Sequence, residues 1–130
     1  MSSRVSSYPY QYVVLRLVPR VDREEFVNVG IVLYSQRADF LAAATHVNRD
    51  RLTALDPTLD LAAVASHLGA VEAVCRGDAR AGEAARKPLG TRFGFLTAPR
   101  STGVQPGPIH GGITDDPQRQ LEHLMDRLVR

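Results

Sequence analysis

Two runs of β-branched and aromatic residues stand close together near the start of the chain, and they constrain its fold more than any other feature. Tyr10–Val18 reads YQYVVLRLV and is stopped by Pro19; Phe26–Tyr34 reads FVNVGIVLY. Such runs form strands, and side chains two apart share a face. Val13, Leu15 and Leu17 then share one face of the first strand, with Tyr12, Val14, Arg16 and Val18 on the other. The second strand is expected to present Val27, Val29, Ile31 and Leu33 to the core, with Asn28 and Gly30 behind. The connection, VPRVDREE, is short and polar, which predicts an antiparallel pair. After a turn over Ser35–Asp39, Phe40–His46 (FLAAATH) makes a third strand and completes a meander.

Helical spacing takes over in the middle. Leu61, Val64, Leu68, Val71 and Cys75 recur at three- and four-residue intervals, between a capping Asp60 and a terminating Gly77. A shorter helix is expected over Asn48–Leu55, ended by Pro57. Gly77–Gly90 reads as a surface connection or frayed helix, and Arg92–Leu96 (RFGFL) as a fourth strand with Phe93 and Phe95 on one face. The final helix is capped by Asp116, has Pro117 at its first position, and buries Leu121, Leu124, Met125 and Leu128. The predicted class is therefore α+β: a small antiparallel sheet, an N-terminal meander, packed with two main helices.

A chain of 130 residues has the size of a single domain, and 44% apolar with 23% charged residues is a globular composition. No apolar run is long enough to cross a bilayer. Met1–Tyr10 lacks the apolar stretch of a signal peptide, and a lone Cys75 has no internal disulfide partner, so a cytoplasmic location is expected. The net charge is +2, from fifteen Arg and one Lys spread along the chain. A pI near 9.0 on so diffuse an excess, without interleaved aromatics, argues against nucleic acid as the partner.

Between Leu96 and the last helix lies TAPRSTGVQPGPIHGGITD, nineteen residues with three Pro and four Gly. A connection of that length is usually functional or disordered. Val104 and Ile109 suggest that part of it lies against the body as an edge strand, where Pro is tolerated. Arg100, Ser101, Thr102 and Gly103 supply a guanidinium, two hydroxyls and a flexible backbone, the raw material for holding an anion; His110 follows. Asp115 and Asp116 at the helix start oppose an anion there, and the alternative is that Arg100 pairs with one of them and pins the loop. Ser101 with His110 also offers the elements of acyl transfer, but no nucleophile-elbow glycines surround Ser101. Upstream, Asn28 and Gly30 are poor strand formers among strong ones. Either they mark a close backbone approach and a structural hydrogen bond, or Asn28 lines a pocket with Arg16. No His or Cys spacing suits a metal, and no Walker or Rossmann pattern implies a cofactor. Cys75, on a buried helix face near a C-terminus, reads as a core residue.

YQYVVLRLVPRVDREEFVNVGIVLY together with RFGFLTAPRSTGVQPGPIHGGITDDPQRQLEHLMDRLV resembles the bacterial domain of unknown function numbered three-oh-three-seven. The shared pattern is a strand pair ending in E-F-x-N-x-G-x-x-L, then P-R-S, G-P-(hydrophobic)-H-x-G, and a D-P opening the last helix. It falls on Glu25, Phe26, Asn28, Gly30, Pro99, Arg100, Ser101, Gly107, Pro108, His110, Gly112 and Asp116. The resemblance implies no assigned activity and no catalytic residue. Short actinobacterial members are commonly encoded beside a HipA-like kinase, which implies a kinase-partner role. A small interaction protein is thus the first expectation. A binder of small anions, or an enzyme, comes second, with Arg100 and His110 on the ligand and Asn28 or Arg16 nearby. That second reading predicts Arg100 within reach of Asn28. An uncovered strand edge would also permit homodimerisation.

Overall fold

The computed structural model describes residues 7–100 and 103–130. Its sheet holds β1 (Tyr8–Val18), β2 (Val27–Ser35), β3 (Phe40–Thr45), β4 (Gly103–Pro106) and β5 (His110–Thr114). The three N-terminal strands form the expected antiparallel meander. On the other side of β1, β4 pairs with its C-terminal half and β5 with its N-terminal half, both antiparallel. The long Pro- and Gly-rich connection therefore supplies the outer side of the sheet. Between β4 and β5, Gly107–Ile109 stand opposite only Val13 and Val14, so the added strand carries one extra residue there. Pro108 sits in that irregularity, where its missing N–H costs no ladder bond. Val104 is buried as expected, whereas Ile109 is 52% exposed.

Helices α1 (Arg49–Leu55), α2 (Leu61–Arg76) and α3 (Leu89–Leu96) lie on one face and α4 (Pro117–Leu128) on the other. Asn48, Asp60 and Asp116 cap α1, α2 and α4, each accepting a first-turn amide. Gly77 ends α2 in the left-handed region, and two short 3-10 turns, Ala79–Ala81 and Glu83–Arg86, lead on to α3. Under α1–α3, Val13, Leu15 and Leu17 of β1 pack with Val29, Val32, Leu68, Val71, Phe93 and Leu96. Beneath α4, Ile31 and Leu33 pack with Leu121, Leu124 and Met125.

The faces of β2 differ from the sequence pattern. Leu15 pairs with Gly30 but Arg16 pairs with Asn28, so Val29 is an extra residue in β2, a bulge. It reverses the alternation. Val27 and Val29 face the α1–α3 layer, Ile31 and Leu33 face α4, and the expected single core face is split between two layers. Asn28 and Gly30, expected on one face, lie on opposite ones.

Arg92–Leu96 is helical, not a strand. Phe93 and Leu96, three apart, are both buried, while Phe95 is 49% exposed. Phe93 stacks on Tyr34 at 5.2 Å. Arg92 donates to the carbonyls of Val74 and Cys75 in the last turn of α2 at 3.1 and 3.0 Å, and to the Lys87 carbonyl at 2.8 Å, tying α3 to the end of α2.

Candidate functional site

The two segments of the sequence pattern meet at Arg16, near the C-terminal end of β1. Its guanidinium carbon lies 4.3 Å from the centre of the Phe26 ring, within cation–π range. The other side rests on Gly107, where an added Cβ would stand 3.0 Å from the guanidinium carbon. The chain just after β4 thus runs against the guanidinium, the far end of a flexible side chain. Arg16 forms no ion pair among the described residues.

Its cross-strand neighbour is Asn28. The Asn28 amide nitrogen donates to the Leu128 carbonyl at 2.9 Å, at the end of α4. Asn28 Oδ1 and Arg16 Nε are both buried without a hydrogen-bond partner. One is an acceptor and the other a donor, and they stand on paired positions of β1 and β2. Gly30 serves a close approach: a Cβ there would lie 2.8 Å from the Ala44 carbonyl oxygen of β3.

Further along β1, His110 packs tilted against Tyr12 with ring centres 5.2 Å apart. Gly112 lies under Tyr10, whose hydroxyl would meet an added Cβ at 2.6 Å. Asp116 Oδ1 accepts from the Arg119 amide at 3.1 Å. Beyond β5 no further strand is paired among the described residues. Its outer edge is flanked by Ile109 and by Ile113, the latter 71% exposed.

The structure separates residues that the sequence reading placed together. Arg100 lies beside α2 and α3, on the opposite layer from Asn28, His110 and α4. Its guanidinium sits 5.4 Å from the Phe95 ring and bears on His67. It is therefore brought neither to Asn28 nor to His110. Nor does it pin the loop through Asp115 or Asp116: Arg119 takes both, at 2.7 and 3.9 Å. Ser101 lies outside the described residues. Glu25 is exposed, pairs with Arg23 at 2.6 Å, and borders an open cleft of about 470 Å³ between the β1–β2 connection and the end of α1.

Sequence reasoning did not connect Arg16 with Gly107. Nothing in the spacing reveals that contact, because it depends on β4 folding back on β1. Burial lowers the pKa of His67, and Arg100 lowers it further. The Cys75 thiol is pushed up to about 12, chiefly by burial. Among the described residues, no group of three or more His, Cys, Asp or Glu is arranged to hold a metal ion, and no helix is long and apolar enough to cross a membrane.

These features define an α+β module whose characteristic residues clasp a C-terminal strand and helix onto an N-terminal meander. The chain belongs to the family described as Protein of unknown function (DUF3037), whose model matches residues 12–129. No curated protein and no solved structure matches it significantly.

Proposed function

We propose that this protein is a docking module that binds, and completes or regulates, a HipA-like kinase through the outer edge of β5. The observation that carries this reading is the edge itself. Its backbone groups face away from β1, and Ile113 beside them is 71% exposed. An open edge flanked by an apolar side chain suits strand addition, in which main-chain hydrogen bonds supply affinity and neighbouring side chains supply specificity. The choice of kinase follows the gene neighbourhood that the family resemblance implies.

The test is co-expression with a HipA-like kinase from the same gene neighbourhood, followed by size-exclusion chromatography with and without ATP. Co-elution is expected, with at least about 1,000 Å² buried between the partners. Ile113→Lys should weaken the complex roughly tenfold or more while leaving the melting temperature of the free protein unchanged. Separate elution of the unaltered proteins under both conditions would end this reading.

A further inference from the structure

An apolar pocket of about 210 Å³ opens between α2, α3 and the short turns that join them. Val71, Val74, Ala84 and Leu96 contribute to its walls, and among the described residues His67 and Arg100 are the only polar side chains in the lining. An apolar cavity of about 150 Å³ holds a benzene molecule, so this space suits one aromatic ring or a branched aliphatic group. Arg100 makes no ion pair among the described residues and is held over the exposed ring of Phe95. A guanidinium placed this way has its fork of donors available to a carboxylate.

We propose that this pocket binds a small organic acid, its apolar body against Val71, Val74 and Leu96 and its carboxylate on Arg100. His67 stands on the same rim. Burial and the nearby guanidinium favour its neutral form, in which one ring nitrogen still donates a hydrogen bond. A wholly apolar ligand would leave Arg100 unused, and an inorganic anion would leave the walls unfilled. The pocket and the β5 edge use different residues, so this binding stands or falls independently of kinase docking.

Hydrocinnamate is a suitable probe and its neutral amide the control, each titrated into the full chain and followed by two-dimensional NMR. The acid should shift the resonances of His67, Val71, Val74 and Leu96 saturably and bind about tenfold more tightly than the amide. Arg100→Gln should abolish the preference for the acid and leave amide binding unchanged. Ala70→Phe, a change at an exposed position in the lining, should block both probes. The proposal is overturned by equal binding of acid and amide, by a preference that survives Arg100→Gln, by binding that survives Ala70→Phe, or by pocket resonances that neither probe moves.

Discussion

Asn28 and Leu128 stand a hundred positions apart and are joined by one hydrogen bond of 2.9 Å from the Asn28 amide to the Leu128 carbonyl. The last carbonyls of a helix have no partner within it, and here side chains from elsewhere supply them. Arg51 does the same for Val129 at 2.8 Å. Replacing Asn28 should therefore loosen α4 from the sheet. Asn28→Leu removes the donor but also the unpartnered Oδ1, so its cost should be near 1 kcal/mol. Asn28→Asp keeps the shape and turns an oxygen toward a carbonyl oxygen; because Arg16 on the paired position would draw the new carboxylate, both variants are compared with Arg16→Met present, where Asn28→Asp should cost more, about 2–3 kcal/mol at neutral pH. Urea unfolding gives the ranking. If Asn28→Asp proves as stable as Asn28→Leu, the bond to Leu128 is not what Asn28 contributes.

Gly30 and Gly107 both admit a close neighbour, but the neighbours differ in kind. At Gly30 the obstacle to a Cβ is the Ala44 carbonyl oxygen at 2.8 Å, backbone of a paired strand. It cannot retreat without opening the β2–β3 ladder. At Gly107 the obstacle is the guanidinium of Arg16, the far end of a flexible side chain. Gly30→Ala should cost about 1–3 kcal/mol, and Gly107→Ala less, because Arg16 can swing away. Gly107→Ala should still displace Arg16 from Phe26, visible as a change in the Phe26 ring proton shifts. Thermal melts that reverse the order of the two variants would contradict this account.

Elements whose signal is local were legible in the sequence. β1, α2 and α4 announce themselves through periodicity and caps, because Asp60, Asp116 and Pro117 act within one turn of their own position. The faces of β2 were not legible, since one extra residue at Val29 reverses everything beyond it, and a bulge leaves the composition unchanged. Phe93 and Phe95 alternate as strand residues do, and only the burial of Leu96 with Phe93 decides for a helix. β4 and β5 were the least visible. Their Gly and Pro are poor strand formers, and they become strands because β1 offers an unpaired edge. The candidate site divides in the same way. Asn28 and Gly30 could be singled out as misfits in a strand, but what they touch depends on α4 and β3. Arg100 could be singled out as a candidate for holding an anion, but its neighbour is His67, on a helix thirty-three positions earlier, rather than His110.

Cys75 provides a test of the core beneath α2. The thiol is buried among apolar neighbours; burial raises its pKa from 9.0 to about 12, Glu72 adds to the rise, and Arg92 and Arg76 oppose it. Nucleophilic attack requires the thiolate, so the native protein should react with a disulfide reagent at pH 8 only as fast as it opens. The same shift links stability to pH. A thiol whose folded pKa exceeds its unfolded value leaves stability intact below the unfolded pKa and removes it as pH rises toward the folded one. The loss should therefore begin near pH 9 and continue toward about pH 12. Alkaline unfolding has contributions from more than one group, so the informative quantity is the difference between the wild-type protein and Cys75→Ala. Urea midpoints measured from pH 7 to pH 11 should fall more steeply above pH 9 for the wild type than for the variant. Parallel curves, or rapid labelling of the folded wild type, would place the thiol in contact with solvent and remove Cys75 from the core between α2 and the sheet.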